Sequence, residues 1–223
     1  MFENISLFMQ LIYTSIAEKE LQHLIRERVY FKRVVVPVTL DLTSLNGQQN
    51  PFQNTDYQFV ELNSEDLQAN TRTFSTRSRY LKALRSINNG LRGFVLLKDG
   101  KVISDIWCVA PHGAATPIKH PDLDMLGVTC ADGDAYAEFI YIDPAYRGKK
   151  LAVPIFLSLL LTLKREGWRR IYAYYYEDNI SSKWMHWMLK FEELPKLSLS
   201  RFFFFKKTQK FISAKPSIER NHS

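Results

Sequence analysis

Between Glu138 and Ala152 the sequence reads Glu-Phe-Ile-Tyr-Ile-Asp-Pro-Ala-Tyr-Arg-Gly-Lys-Lys-Leu-Ala, an apolar run that passes through a short basic turn straight into a second apolar segment at 151–165. A strand, a turn and a helix in that order make an anion site. The N–H groups of the turn and of the first helical turn have no intrahelical acceptor, so they converge on a phosphate-sized group at the positive end of the helix dipole. Arg147, Lys149 and Lys150 add positive potential there. A basic turn that is merely solvated is the competing reading. Asn179 and His186 form a second candidate pair. They are seven residues apart, nearly two helical turns, and so share a face that could look into a cleft. Asn179 is equally a favoured N-cap, and His186, between Met185 and Trp187, is equally a half-buried histidine.

These groups need elements to hold them. Residues 3–33 carry apolar positions at three- and four-residue spacings and predict one or two amphipathic helices. Residues 34–40 read as a strand, and the Asn-, Gln- and Ser-rich stretch 43–56 as a loop that closes an N-terminal extension. From Tyr57 the pattern predicts a strand at 57–62, a helical region to about 88, and two antiparallel strands at 93–97 and 102–109 joined through Asp99-Gly100. Residues 110–134 form a long irregular loop, expected to wall the acceptor side of a site. A strand at 135–142 leads through the basic turn into the 151–165 helix, whose Pro154 is tolerated in the first turn and whose end is capped by Gly167. A strand at 170–176, an amphipathic helix at 180–191 and a final strand or hairpin arm at 197–205 complete a mixed α/β (α+β) layer fold, a twisted sheet of six or seven strands flanked by helices.

The motif Ile142-x-Pro144-x-x-Arg147-Gly148, with Ala152 four residues on, resembles the signature of the GNAT superfamily of acyl-CoA-dependent N-acyltransferases over roughly residues 57–207. Lys150 stands where that family has glycine. The resemblance implies that the turn, from Arg147 through Gly148, Lys149, Lys150 and Leu151 to Ala152, cradles the pyrophosphate of acetyl-CoA or another acyl-CoA. It implies that the main chain of Ile140 and Ile142 meets the pantetheine, and that a splay between that strand and the next admits the thioester. The family's second element matches at Asn179 and Phe191, with His186 at a tyrosine position and Lys190 at a glycine position, and it implies a cofactor contact for Asn179.

The reaction implied is direct attack of a primary amine, on a small molecule or peptide, upon the thioester. It requires a base for the amine, polarisation of the carbonyl and a proton for the thiolate. Glu138 is the candidate base, because strand alternation puts it on the face of Ile140 and Ile142; a strand-edge surface charge is the rival reading. A backbone N–H near Ile140 would polarise the carbonyl, and His186 is the candidate acid. A non-catalytic acyl-CoA-binding module is the alternative in a different functional class.

The 223 residues carry 30 Lys+Arg against 23 Asp+Glu, a net +7, with 46% hydrophobic and 24% charged residues. That composition excludes disorder, collagen and repeat arrays and favours acidic partners. Two cysteines, Cys108 and Cys130, are too few for a disulfide framework or a thiolate zinc site, and they point to a reducing, cytoplasmic setting. No apolar run is long enough to span a membrane and the opening segment is not a signal peptide. A basic protein docking on a membrane through residues 26–33 is a further alternative, and the stripe from Phe8 to Ile16 is a candidate homodimer surface. The histidines and aspartates of 112–134 lack a spacing that dictates a metal geometry, so no metal is expected. Tyr172 and Tyr174 to Tyr176 beside Arg169 and Arg170 read as strand packing, and no nucleic acid is expected. The tail beyond 210 is expected to fray.

Overall fold

The computed structural model describes residue 10 and residues 30–68, 73–112, 117–202 and 205–210. The helices expected before residue 30, the Phe8 to Ile16 stripe, residues 26–29 of the basic segment and the tail from 211 lie outside the described residues.

β1 (Tyr30–Asp41) contains the strand expected at 34–40. Val35, Val36, Val38 and Leu40 are all buried, and unbroken burial of a β-branched run belongs to a strand covered on both faces. β1 pairs antiparallel with β7 (Arg170–Tyr176) on one edge, and on the other with β9 (Leu197–Phe202) and the two-residue β8 (Glu192–Glu193). Pro37 has no N–H for the ladder. Its neighbour on that edge is interrupted between β8 and β9, and there Leu194 N–H donates to the Pro37 carbonyl at 2.8 Å. The segment assigned to an extension is therefore a central member of the sheet, and the loop at 43–56 does not divide it from the rest. An apolar strand needs partners on both edges, and here the far end of the chain supplies them.

The remaining strands are β2 (Tyr57–Leu62), β3 (Thr73–Phe74), β4 (Arg92–Lys98), β5 (Lys101–Val109), β6 (Asp134–Ile142) and β10 (Phe205–Lys210). The sheet runs β10-β9-β1-β7-β6-β5-β4-β2, with β3 added beside β5. That is eight strands on the main path and two short additions, more than the six or seven expected. Part of the excess comes from the phenylalanine run at 202–205. The segment expected as a final strand or hairpin arm holds two antiparallel strands, with Phe202 opposite Phe205 across β9 and β10. The β4–β5 turn has positive φ at both Asp99 (51°) and Gly100 (74°), the geometry that matches the twist of a two-residue hairpin.

Among the described segments from residue 30 on, five helices cover the two faces: α1 (Ser64–Gln68), α2 (Arg77–Asn88), α3 (Pro121–Leu126), α4 (Ala152–Arg165) and α5 (Ile180–Met188). The helical region expected over 63–88 is thus two helices with β3 between them. Alternation along β4 sorts the core. Phe94 and Leu96 join Ile155, Leu159 and Leu163 of α4 on one face, while Val95 and Leu97 join Leu67 and Ala83 of α1 and α2 on the other.

One ion cluster ties the layers together. Arg92, 8% exposed, donates to both oxygens of Glu61 (2.7 and 2.9 Å), to both oxygens of Glu166 (2.6 and 2.8 Å) and to the Ala110 carbonyl (3.0 Å). Burial alone would disfavour its charge, but the hydrogen bonds and charges of Glu166 and Glu61 outweigh that and raise its pKa. The Arg92 bond holds the Glu166 carboxyl below the usual range against its partial burial. A second buried pair, Arg79 of α2 with Asp105 of β5, pins the opposite helix layer, and Trp107 Nε1–H donates to the same carboxylate at 2.8 Å.

Candidate functional site

β6 and β7 are the two adjacent parallel strands at the centre of the sheet, and they pair only from Asp134 to Tyr136 against Arg170 to Tyr172. Beyond Tyr136 they part. On its other edge β6 stays with β5, but the register skips a residue: Cys108 lies opposite Ala137 and Trp107 opposite Phe139, leaving Glu138 as the extra residue of a bulge. Asp143 N–H donates to the Ile103 carbonyl at 2.9 Å. In an antiparallel ladder bonded pairs alternate, so Tyr141 and Phe139 bond toward β5, while the main-chain groups of Ile142 and Ile140 point the other way, toward the strand that has separated.

The splay opens a cavity of about 220 Å³, lined from β6 by Ala137 to Ile140, from β7 by Ala173 to Tyr176, and by Phe156 of α4 with Asn179, Ser182, Met185 and His186 at α5. Glu138 lines it as the extra residue of the bulge. Its negative charge contributes to the raised pKa of both Tyr136 and Tyr174, whose shifts come first from burial.

His186 is 4% exposed and boxed by aromatic rings, stacked on Tyr175 with centroids 5.4 Å apart and edge-on to Phe156 (5.5 Å) and Phe191 (5.0 Å). Its Nδ1 lies 2.8 Å from the Ser182 carbonyl. A carbonyl only accepts, so Nδ1 carries the hydrogen and Nε2 holds a lone pair. Burial pushes the imidazole down to about 4, against the opposing effect of the Ser182 bond. With its pKa lowered in this way the ring favours the neutral form at neutral pH, with the lone pair on Nε2. Nε2 is also buried without a hydrogen-bond partner among the described residues. Asn179 is an N-cap, its side chain accepting from Ser182 N–H at 3.1 Å, and it also lines the cavity.

At the end of β6 the chain enters a short 3-10 turn, Pro144–Tyr146, capped by Asp143 Oδ1, which accepts from Ala145 N–H at 2.9 Å. Arg147 Nε–H donates to the Ile142 carbonyl at 3.2 Å, and Lys149 Nζ sits 4.4 Å from the Tyr146 ring centroid. Arg147, Gly148, Lys149 and Lys150 are all exposed. No side chain caps α4, whose first residues Ala152 and Val153 keep their N–H groups while Pro154 has none to lose. Gly148 takes φ 79° and Lys150 φ 58°. Lys150 thus keeps the left-handed backbone that a glycine would adopt at that motif position. Lys190 does the same with φ 60°. Its N–H bonds to the Trp187 carbonyl and that of Phe191 to the His186 carbonyl, the double bond of a Schellman end.

Other expectations fare differently. The 117–134 part of the long loop does not line the cavity. It folds into α3 instead, with Leu123 and Leu126 in the core and Asp122 accepting from Tyr136 O–H at 3.1 Å. His120 caps α3. Among the described residues no three His, Cys, Asp or Glu side chains group as a metal set, and no helix is long and apolar enough to cross a membrane. Cys108 and Cys130 are both buried, which raises their thiols to about 12 and about 11. Phe156, Ser182 and Met185 escaped sequence reading as cavity residues, because nothing local marks where two strands part.

A mixed sheet whose central parallel strands splay, one of them running through a basic turn into a helix, agrees with the arrangement that the motif implied. Among solved structures the chain is similar to a Drosophila protein, at 12% identity over 86% of this chain and 58% of that one, with a TM-score of 0.51. It is also similar to a GNAT-family acetyltransferase from Colwellia psychrerythraea (13% identity, 82% and 60% covered, TM-score 0.49) and to a tandem GNAT protein of clavulanic acid biosynthesis (14%, 80% and 53%, 0.48). The chain spans 53% to 60% of the length of these three structures. Such identities speak of fold alone. No family model matches the sequence, and no curated protein does.

Proposed function

We propose that this chain is an N-acyltransferase that moves an acyl group from acyl-CoA, acetyl-CoA being the simplest donor, to a primary amine. The observation that carries the reading is the splay itself. It turns the main chain of Ile140 and Ile142 away from β5 toward the separated strand, beside a cavity lined by Glu138 and Ile140 of β6, Phe156 of α4 and Asn179, Ser182 and His186 at α5. In this reading the N–H groups of residues 148–153, with Arg147, Lys149 and Lys150, hold the pyrophosphate. The Ile140 and Ile142 main chain takes the pantetheine amides as a strand would, and an Ile140 N–H polarises the thioester carbonyl.

Glu138 takes the proton from the attacking nitrogen. The C–N bond forms, the C–S bond breaks, and the sum consumes no proton, because the one lost by nitrogen equals the one gained by sulfur. A neutral His186 takes no part as donor; its Nε2 lone pair can accept a hydrogen bond from the thiol or from an amide of the arm.

The test has two stages. CoA should raise the melting temperature of the protein, and Arg147→Ala should weaken its affinity by about tenfold, the worth of one charge-assisted contact. Release of free thiol from acetyl-CoA should then appear with one member of an amine panel, and Glu138→Gln should lower kcat by about 10²- to 10⁴-fold with little change in KM for the donor. Absence of CoA binding would refute the reading. Binding without thiol release for any amine would leave the non-catalytic module.

A further inference from the structure

α5 carries two apolar faces. Met185 and Leu189 are buried, and Ser182, Met185 and His186 line the cavity. On the opposite side Ile180 (74% exposed), Trp184 (58%), Trp187 (68%) and Met188 (46%) stand in solvent. At about 100° per residue these four fall within an arc of roughly 100°, with Lys183 on its flank. The two indoles touch edge to face, with centroids 5.4 Å apart. Large apolar side chains grouped in this way mark an interaction site.

A second feature sits at the same end of the sheet. β1 and β9 run on past the end of β7, where Tyr30 pairs with Phe202 and Phe31 with Arg201, and β10 adds Phe205 opposite Phe202. Arg33 of this ribbon lies 4.8 Å from the Tyr176 ring centroid and 3.8 Å from Asp178, two residues before α5 begins. Aromatic positions there are interleaved with Lys32, Arg33, Arg201, Lys206 and Lys207.

We propose that the outer face of α5 docks this protein on an anionic lipid bilayer, lying in the interface without crossing it. Indoles are suited to the headgroup layer, where the ring is half apolar and its N–H stays wet, and flanking lysines can bury their stems while their charges meet lipid phosphates. The net charge of +7 favours that surface. Two copies stacked through α5 would bring the same positive surfaces together. A nucleic acid would have no use for Ile180 and Met188, which neither stack on bases nor form hydrogen bonds. Lipid docking and coenzyme binding are separate readouts, one for each face of α5.

The test uses the full chain with vesicles of phosphatidylcholine alone and with about 30% phosphatidylglycerol. The protein should float with the anionic vesicles about tenfold better than with neutral ones at low salt, and the preference should shrink as salt screens it. Lipids brominated in the acyl chain should quench its tryptophan emission, which buried Trp107 and Trp168 would not show. Trp184→Ser with Trp187→Ser should lower partitioning at least about tenfold while the CoA-induced shift in melting temperature stays as in the wild type. Lys183→Glu should weaken binding to anionic vesicles alone. The proposal is overturned if the wild type does not float, if the double variant floats as well as the wild type, if brominated lipid leaves the emission unchanged, or if the double variant only dissociates a dimer.

Discussion

The two ends of α4 are finished in opposite ways. At the C-terminal end buried and half-buried charges pair with one another: Glu166 is held by Arg92, Arg92 by Glu61 and the Ala110 carbonyl, and Gly167 takes the left-handed turn (φ 90°) that closes the helix. At the N-terminal end no side chain caps the first turn, three basic residues stand exposed in the preceding turn, and the cavity that reaches α4 at Phe156 contains a histidine nitrogen with no partner among the described residues. Buried polar groups that satisfy one another hold a fold together, and groups left open beside a cavity are where a ligand would complete the structure. The same helix is anchored at one end and available at the other.

Breaking the closed end should have the largest effect. Arg92→Met takes the buried partner from two carboxylates that are 34% and 30% exposed and from the Ala110 carbonyl, and should lower unfolding stability by about 3 kcal/mol, read as a fall in denaturant midpoint. CoA affinity below the new transition should be unchanged, since the damage lies at the far end of α4.

The open end should show itself through acid. A histidine held near 4 in the fold against an ordinary value of 6.5 takes up its proton more readily when unfolded. Its contribution to stability is therefore complete above pH 6.5 and lost as pH falls toward 4, a swing of about 3 kcal/mol. His186→Phe should flatten that part of the stability profile between pH 6.5 and 4. An unchanged profile would mean the imidazole is not in this buried neutral state.

Smaller effects sharpen the contrast. Asn179→Ala removes the cap of α5 and should cost about 1 kcal/mol by thermal melting. Lys150→Gly relieves a non-glycine residue in left-handed backbone and should raise stability by less than about 1 kcal/mol. A clear loss of stability instead would show that the lysine side chain contributes to the fold as well as to the charge of the turn.

Much of this was legible in the chain. The hairpin at Asp99-Gly100, the Pro154 helix start, the Gly167 stop and the strand–turn–helix passage through Arg147 are all signalled within a few residues, because turns and caps are governed by local backbone conformation. The position of β1 was not legible. A buried strand looks the same whether it opens an extension or fills the gap between β7 and β9, and its partners lie more than a hundred residues away. Lys150 and Lys190 depart from the motif in residue type, yet both take the left-handed backbone that glycine adopts most readily, which residue type does not reveal. The acid role given to His186 depended on exposure and on what Nδ1 meets, and neither is written in Met-His-Trp.

The order of elements, the charge of the turn and the chemistry available at Glu138 and His186 were thus set by the sequence alone, since they depend on residue identity and short-range geometry. Tertiary structure decided the rest: where β6 and β7 part, that a bulge carries Glu138 into the gap, that burial removes the proton from Nε2 of His186, and that four apolar side chains of α5 are left facing water. Each of these depends on contacts between segments distant in the chain, and burial, register and pKa exist only once those segments meet.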